Sequence, residues 1–449
     1  MAKRSKTGLG RRDFLKGAAL ATAASGAGLV SAGTGASPAL AAVAGPLSRA
    51  ADLPKPAGQR VIVVGGGWSG LTMAKYLKKN NPKFDVVMIE PNATFFSCPL
   101  SNLWLDNVID TDLLLHSYTD AAKAGGYIWL QGMLVQLDRE KRRAFTTAGY
   151  IDYDYIVLSP GIDYNYASLG VKDPGEAARL AQTYPAGFKP GSEHLSIKAK
   201  LDDFEEGVFL LNVPTGNYRC LPGPYERACM IASYFKAEGI KGKVVLLDPN
   251  EKPTIKADGF LAAFKELHKG YIDYQTAATI TGVDVAGKTV ETEFGKVKFA
   301  DAAIYPRVRA ARLIEDLGLA DPKSPQLEGK IDNFRYTVPG DDHTYIAGDA
   351  RPMPFSKSGN TANTEAHIVS RMIAARAQGK DSPWESPNTI CYSMVDGEGK
   401  QSIMVDAKYK FTKGKGWGFT DVKLIEKWSK KLGKANIEWG KGLYRDMFS

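Results

Sequence analysis

The residues of this 449-residue chain best suited to chemistry are its four cysteines, Cys98, Cys220, Cys229 and Cys391, and one acid, Glu226. Cys220 stands in NVPTGNYRCLPGPYERAC, residues 212–229, just ahead of a helical run whose first turn carries Pro224 and Glu226. Free amides and the dipole at such a helix end stabilise a thiolate, so the spacing predicts a lowered pKa for Cys220. Glu226 is placed to accept a proton from an incoming substrate; as a first-turn acid it could equally serve only the helix dipole. Cys391, in NTICYSM, lies 171 positions beyond Cys220 and meets it only through tertiary folding. On spacing alone the cysteines are also compatible with two structural disulfides. Cys229, about one helical turn past Glu226, reads as a small buried hydrophobe.

These groups need a scaffold, and the chain supplies one. RVIVVGGGWSGLTMAKYLKK is a buried strand, a turn and a helix, with Gly65, Gly67 and Gly70 as GxGxxG. The first glycine permits the tight turn, the second admits a pyrophosphate to the backbone, and the third lets strand and helix pack closely. A second strand, FDVVMIEPN, ends at Glu90, 20 residues beyond Gly70, where a carboxylate can bind ribose hydroxyls. Two later segments refine the reading. YDYIVLSPGID is an apolar strand ending at Pro160-Gly161, and TYIAGDARPMPFSKSGNTANTEAHIV holds a strand, Gly348-Asp349 and a helix starting near Ser358. This order resembles the two-dinucleotide-domain flavoproteins, whose GD aspartate binds the flavin ribityl chain, and it implies FAD. GVFLLNVP and KVVLLDPN then echo RVIVVGGG and DVVMIEPN, but the loop between them holds only Gly216 before Cys220. Without close backbone approach there is no pyrophosphate cradle, so this half reads as retained scaffold and NAD(P) is not expected to bind.

Composition and the amino-terminal segment narrow the setting. Residues 1–41 carry Arg11-Arg12 before Phe14-Leu15-Lys16, a weakly apolar run and Ala39-Leu40-Ala41, the order of a twin-arginine export signal. The expected location is periplasmic, reached after cofactor uptake. The apolar run is broken by Gly, Ser and Thr, so no transmembrane segment is expected. Without residues 1–41 the net charge falls from +9 to +4, which leaves no case for nucleic-acid binding. There is no CxxCH for c-type haem, and the five histidines have no metal-ligand spacing. All four cysteines survive cleavage, and an exported thiol pair is expected to be oxidised.

FFSCPLSN, YRCLPGPYERA, GDA…PMPFSKSGNTAN and NTICYSM together resemble the flavoprotein chains of flavocytochrome c sulfide dehydrogenases, over nearly the whole mature chain. The resemblance implies that Cys98 is joined by a thioether to the flavin 8α-methyl, and that Cys220 and Cys391 are the redox disulfide against the flavin. It also places Glu226 near that disulfide. The implied activity is oxidation of sulfide to zero-valent sulfur or polysulfide, a thiol–disulfide exchange with an inorganic thiol. Electrons would pass to a c-type cytochrome subunit in a heterodimer. Alternatives are a sulfide:quinone oxidoreductase, or a flavin electron-transfer subunit with no sulfide activity. A quinone enzyme calls for an apolar carboxy-terminal helix pair, whereas this tail is basic and reads as a solvated helix.

The expected fold is α/β, with two Rossmann-like dinucleotide-binding domains of the disulfide-reductase flavoprotein type and a carboxy-terminal α+β interface domain. Residues 58–173 and 312–380 form the FAD domain, 174–311 the degenerate NAD-like domain with Cys220, and 381–449 the last domain with Cys391. Within the last, KFTKGKGWGF predicts a hairpin, and an amphipathic helix is predicted near Val422 to Leu432.

Overall fold

The computed structural model describes residues 47–449, so the twin-arginine segment lies outside the described residues. Strand β1 (Arg60–Val64) is buried along its whole length and leads through the glycine turn into α1 (Trp68–Asn80). β2 (Asp85–Ile89) lies parallel to β1 on one side, with β3 (Ile128–Leu130) beyond it. β4 (Tyr155–Leu158) lies parallel on the other side. Two glycines are sterically required here. Gly65 has φ of +98°, and a Cβ on it would sit 2.4 Å from the Ser159 carbonyl oxygen. A Cβ on Gly70 would sit 1.7 Å from the Gly65 oxygen, so only hydrogen lets α1 close on the turn.

The middle of the chain repeats the plan. β5 (Glu206–Asn212), α2 (Gly223–Glu238), β6 (Lys241–Leu247), α3 (Ala257–Glu266), β7 (Ile272–Gln275) and β8 (Asp301–Ala303) give a parallel sheet of order β7-β6-β5-β8. Every residue of α2 from Gly223 to Phe235 is buried. A helix covered on all sides must be enclosed by other elements, and α2 packs against both β6 and the carboxy-terminal sheet.

The chain then returns to the first sheet through β9 (Thr337–Val338) and β10 (Asp341–Ile346), completing the order β9-β10-β4-β1-β2-β3. All its pairings are parallel except β9 with β10. Helix α4 (Gly359–Arg376) begins at Ser358, whose hydroxyl accepts from Thr361 N, and packs along α1. β11 (Thr389–Asp396), β12 (Gln401–Thr412) and β13 (Gly416–Ser429) form an antiparallel sheet, followed by α5 (Lys430–Phe448). Residues 47–449 pack as one unit.

The expected hairpin is present, but the helix expected near Val422 to Leu432 is not. Those residues mostly continue β13, which pairs with β12 from Thr412–Gly416 back to Ser402–Ser429. The ladder to β12 overrides a helical spacing that is only local. The helix instead starts at Lys430, with the Ser429 hydroxyl accepting from Leu432 N. Nor is it solvated on all sides. Gly433 and Gly440 bring α5 so close that Cβ atoms would lie 1.8 Å from the Lys400 oxygen and 2.3 Å from Leu100 Cδ1. Tyr444 and Met447 are buried. Among the described residues no helix is long and apolar enough to cross a membrane.

One carboxylate latches the end of α5. Asp446 accepts from the Tyr76 hydroxyl (2.6 Å) and Asn363 Nδ2 (2.9 Å), and pairs with His367 Nε2 at 2.9 Å. Burial opposes its charge, but these partners outweigh burial and hold its carboxyl well below the usual range. A depressed folded pKa gives stability that is complete above the unfolded carboxylate value, about 4, and is lost as pH falls through the folded value. Asp446→Asn should therefore lower the unfolding free energy at neutral pH by about 1.5 kcal/mol. The difference from wild type should shrink in denaturant titrations taken progressively below pH 4.

Candidate functional site

A cavity of about 510 Å³ lies where the elements converge. Its walls include the glycine turn, Glu90 at the end of β2, the segment Cys98–Asn102, Pro160-Gly161, the loop before α2, Gly348-Asp349, the start of α4, and β11. Of the residues singled out from sequence, Gly65, Gly67, Glu90, Cys98, Gly161, Cys220, Glu226, Gly348, Asp349 and Cys391 all line it. Gly70 does not; it acts behind the wall, against Gly65.

The dinucleotide end has the required shape. Gly67 caps α1, and a Cβ there would meet nothing within 4 Å, so the backbone is open to an approaching group. Glu90 is fixed by Gly66 N at 2.8 Å and Asn92 N at 2.9 Å. Asp349 accepts from Arg219 Nε at 2.6 Å. The guanidinium reaches that position because residue 161 is glycine: a Cβ there would lie 3.0 Å from Arg219 Nη2. The open turn, the carboxylate at the end of β2 and the fixed Asp349 fit a bound FAD, with Gly67, Glu90 and Asp349 as its holding residues. The contrast with the second unit is local. At the start of α2, a Cβ on Gly223 would meet the Phe188 ring at 2.6 Å and Cys220 Sγ at 3.0 Å. The turn that is open at Gly67 is covered at Gly223 by a ring and a sulfur.

Three sulfurs share the cavity wall. Cys98 follows the short strand Thr94–Phe96, Cys220 precedes α2, and Cys391 lies on β11. All four cysteines are unpaired thiols in the structure. Cys220 is held in the left-handed region, φ +60°, with its amide donating to the Lys357 oxygen at 2.8 Å. The lowered acidity threshold expected for Cys220 is corrected. Burial pushes its thiol well above the ordinary value, and Cys391, Cys98 and Glu226 push the same way. Cys220 sits before the Pro222 cap rather than on the helix axis, and the helix end does not offset desolvation. Burial also raises Cys98, against the pull of Arg219 and Arg227, and raises Cys391, against the pull of Lys256. Cys229 is fully buried in α2, away from the cavity.

Glu226 joins two elements. Its Oε1 accepts from Met394 N at 2.7 Å and its Oε2 from Asn102 Nδ2 at 3.0 Å, so it ties α2 to β11. Burial raises its carboxyl pKa, against those two hydrogen bonds. A carboxyl raised by burial holds a proton more readily than an exposed glutamate does, which suits a group that exchanges protons with neighbouring thiols. Among the described residues no cluster of His, Cys, Asp and Glu could hold a metal ion.

Sequence reasoning missed several residues here. Arg227 is 2% exposed, donates to the Ala186 and Gly187 oxygens and to Asn102 Oδ1, and lies over the Phe188 ring. Arg219 and Arg227 flank the motif cysteine, so YRCLPGPYERA carried a signal for both. Asn436 and Trp439 of α5 line the cavity, and Lys256 lies against Cys391; nothing in their local sequence marks them.

Fold and site define a flavoprotein of the pyridine nucleotide-disulphide oxidoreductase class, whose family model matches residues 59–184. Residues 195–305 match the model for the central part of the sulfide dehydrogenase (flavocytochrome c) flavoprotein chain. A sulfide dehydrogenase (flavocytochrome c) flavoprotein chain from Chlorobaculum thiosulfatiphilum is 50% identical over 44 residues, 10% of this chain and 92% of that sequence. The chain belongs to the family of these flavoprotein chains. The mitochondrial sulfide:quinone oxidoreductase of Mus musculus is 27% identical over 194 residues, 42% of this chain. The match spans 41% of that relative's length. In fold the chain is similar to the sulfide:quinone oxidoreductase of Aquifex aeolicus, with a TM-score of 0.68 at 14% identity over 87% of this chain and 92% of that one.

The Arg219–Asp349 pair joins the loop before α2 to the turn after β10. Arg219→Leu would strand a buried carboxylate and should cost about 3 kcal/mol in denaturant unfolding. Arg219→Leu with Asp349→Asn should recover part of that loss, as the double-mutant cycle reads directly.

Proposed function

We propose that this protein oxidises sulfide to zero-valent sulfur or polysulfide through a Cys220–Cys391 disulfide and FAD held covalently by Cys98. The observation that carries the reading is the placement of Cys220 and Cys391, from distant elements, on the wall of one cavity with Cys98 and Glu226. Membership in the flavoprotein-chain family supports sulfide as the substrate.

Hydrosulfide is a soft nucleophile suited to a disulfide sulfur. It bonds to one sulfur of the pair, the sulfur–sulfur bond breaks, and the second cysteine leaves as thiolate. Glu226, buried beside both thiols, takes the proton that the substrate sheds. The apolar rings of Phe95, Phe96 and Phe188 on the wall exclude water from the persulfide. Bound FAD supplies the two-electron acceptor at this place and can release electrons singly. NADH and NADPH are not electron partners in this reading, since Phe188 and Cys220 cover the start of α2.

The acceptor we assign is a c-type cytochrome subunit in a periplasmic heterodimer. The family supports this assignment, and the basic carboxy-terminal sheet and helix are the surface we assign to the partner. Likeness to sulfide:quinone oxidoreductases supports the second reading, a quinone acceptor.

Acid-precipitated holoprotein should stay yellow, and Cys98→Ser should release its flavin to the supernatant; a colourless wild-type pellet removes the thioether. Cys220→Ser or Cys391→Ser should slow sulfide-dependent flavin bleaching at least a thousandfold while FAD stays bound, whereas Cys229→Ser should bleach normally. With sulfide as donor and the haem subunit co-expressed, cytochrome c should be reduced faster than a soluble quinone. The opposite order assigns the quinone reading.

A further inference from the structure

Lys256 takes no part in the reading above, and its placement is costly. It is 2% exposed and is held in the left-handed region, φ +55°, immediately before α3. Such backbone persists only where surrounding contacts enforce it. Its Nζ donates to Ser393 Oγ at 2.6 Å and to the Cys391 oxygen at 3.2 Å, and lies 3.9 Å from Cys391 Sγ. The other buried basic groups differ. Arg60 pairs with Asp85, Lys357 with Glu328 and Arg351 with Glu365, while Arg227, which also lacks a carboxylate partner, is hydrogen-bonded by two carbonyls and Asn102 and touches no reactive atom. Among the described residues no carboxylate lies within ion-pair distance of the Lys256 ammonium, and the reactive atom it touches is a sulfur. Glu226 acts on that ammonium only from beyond that distance, and a buried cation without a paired carboxylate is stabilised when negative charge appears beside it.

Burial raises both thiols, but the charges around them differ in balance. Around Cys220, the charged and titratable groups from neighbouring elements are Cys391, Cys98 and Glu226, each disfavouring a thiolate, with Lys256 a weaker influence in its favour. Around Cys391, Lys256 is the foremost influence favouring the thiolate, helped by Ser393 and opposed by Glu226. In thiol–disulfide exchange the better thiolate leaves.

We propose that Lys256 is the fixed charge that makes Cys391 the departing thiolate, so that the incoming sulfur is carried by Cys220. This rests on the disulfide reading above. The hydrosulfide sulfur bonds to Cys220 Sγ, the Cys220–Cys391 bond breaks, and its electron pair goes to Cys391 Sγ beside Lys256. The negative charge moves from substrate to Cys391, and Cys220 carries the persulfide, whose proton is the one that Glu226 then takes. No further oxidant is needed for this step.

The test uses full-length holoprotein under anaerobic conditions. Non-reducing peptide mapping of the oxidised protein first shows whether Cys220 and Cys391 are linked; an unlinked pair removes the disulfide reading and this proposal with it. In the linked protein, one equivalent of sulfide is quenched with iodoacetamide after mixing and the peptides are weighed. Alkylated Cys391 and an extra sulfur on Cys220 are expected; an extra sulfur on Cys391 overturns the proposal even though the disulfide reading stands. Independently, iodoacetamide labelling of the dithiol form is followed against pH. Cys391 should react at lower pH than Cys220. In Lys256→Met its rate at pH 7 should fall several-fold, since the charge favouring the thiolate is gone, and Lys256→Arg should restore most of it. A Lys256→Met profile superimposable on wild type, or Cys220 reacting at the lower pH, overturns the assignment. Should Lys256→Met fail to fold, the wild-type labelling order and the Lys256→Arg profile decide the same question.

Discussion

The cavity depends on charges that have no water to fall back on. Arg351 and Glu365 form an ion pair at 2.8 Å with both side chains fully buried, and Glu365 also accepts from Gly348 N at 2.6 Å. Arg351 reaches on to the oxygens of Met353, Phe355 and Ser356. Lys357 pairs with Glu328 at 2.7 Å and donates to the Asp349 oxygen at the same distance. Removing one partner of such a pair costs about 3–5 kcal/mol, because the other is left charged in a dry interior. The two pairs therefore fix residues 348–357 rigidly, and that segment sets the rest. It aims Asp349, starts α4 at Ser358, and offers the Lys357 carbonyl that holds the Cys220 amide.

That last hydrogen bond explains how a nucleotide-binding unit came to present a thiol. The β5–α2–β6 unit keeps the parallel strands and the enclosed helix of its counterpart, but its first turn is tied to the flavin half instead of being left open. Phe188 stacks on Tyr305 with centroids 3.9 Å apart, and its ring covers the start of α2. The backbone at this turn is part of a wall, and the side chain at its tip lines the cavity shared with the first glycine turn.

Much of this was legible in the sequence. The glycine turn, Glu90, Gly348-Asp349 and the Ser358 helix start are local features, fixed by φ angles, caps and short-range packing that individual residues announce. The gathering of Cys98, Cys220 and Cys391 was legible only through motif resemblance, since no local rule links residues on separate sheets. Three things were not legible. The strand at residues 422–429 depends on its partner β12, and its own spacing favours a helix. The acidity of Cys220 depends on how much protein surrounds the sulfur, which the adjacent helix end does not reveal. Lys256 reaches Cys391, and Trp439 the cavity, from a loop and a helix whose neighbours in sequence have no bearing on either.

The arrangement of α5 also governs timing. One wall of the cavity is made by Asn436 and Trp439, and the helix that carries them is secured by Asp446, near the end of the sequence. The glycine turn at the opposite wall belongs to the first strand and helix described. A chain made from its amino terminus has the floor of the site long before it has the lid. Enclosure of the cofactor is therefore a late event, possible only once the segment that carries Asn436 and Trp439 has been made.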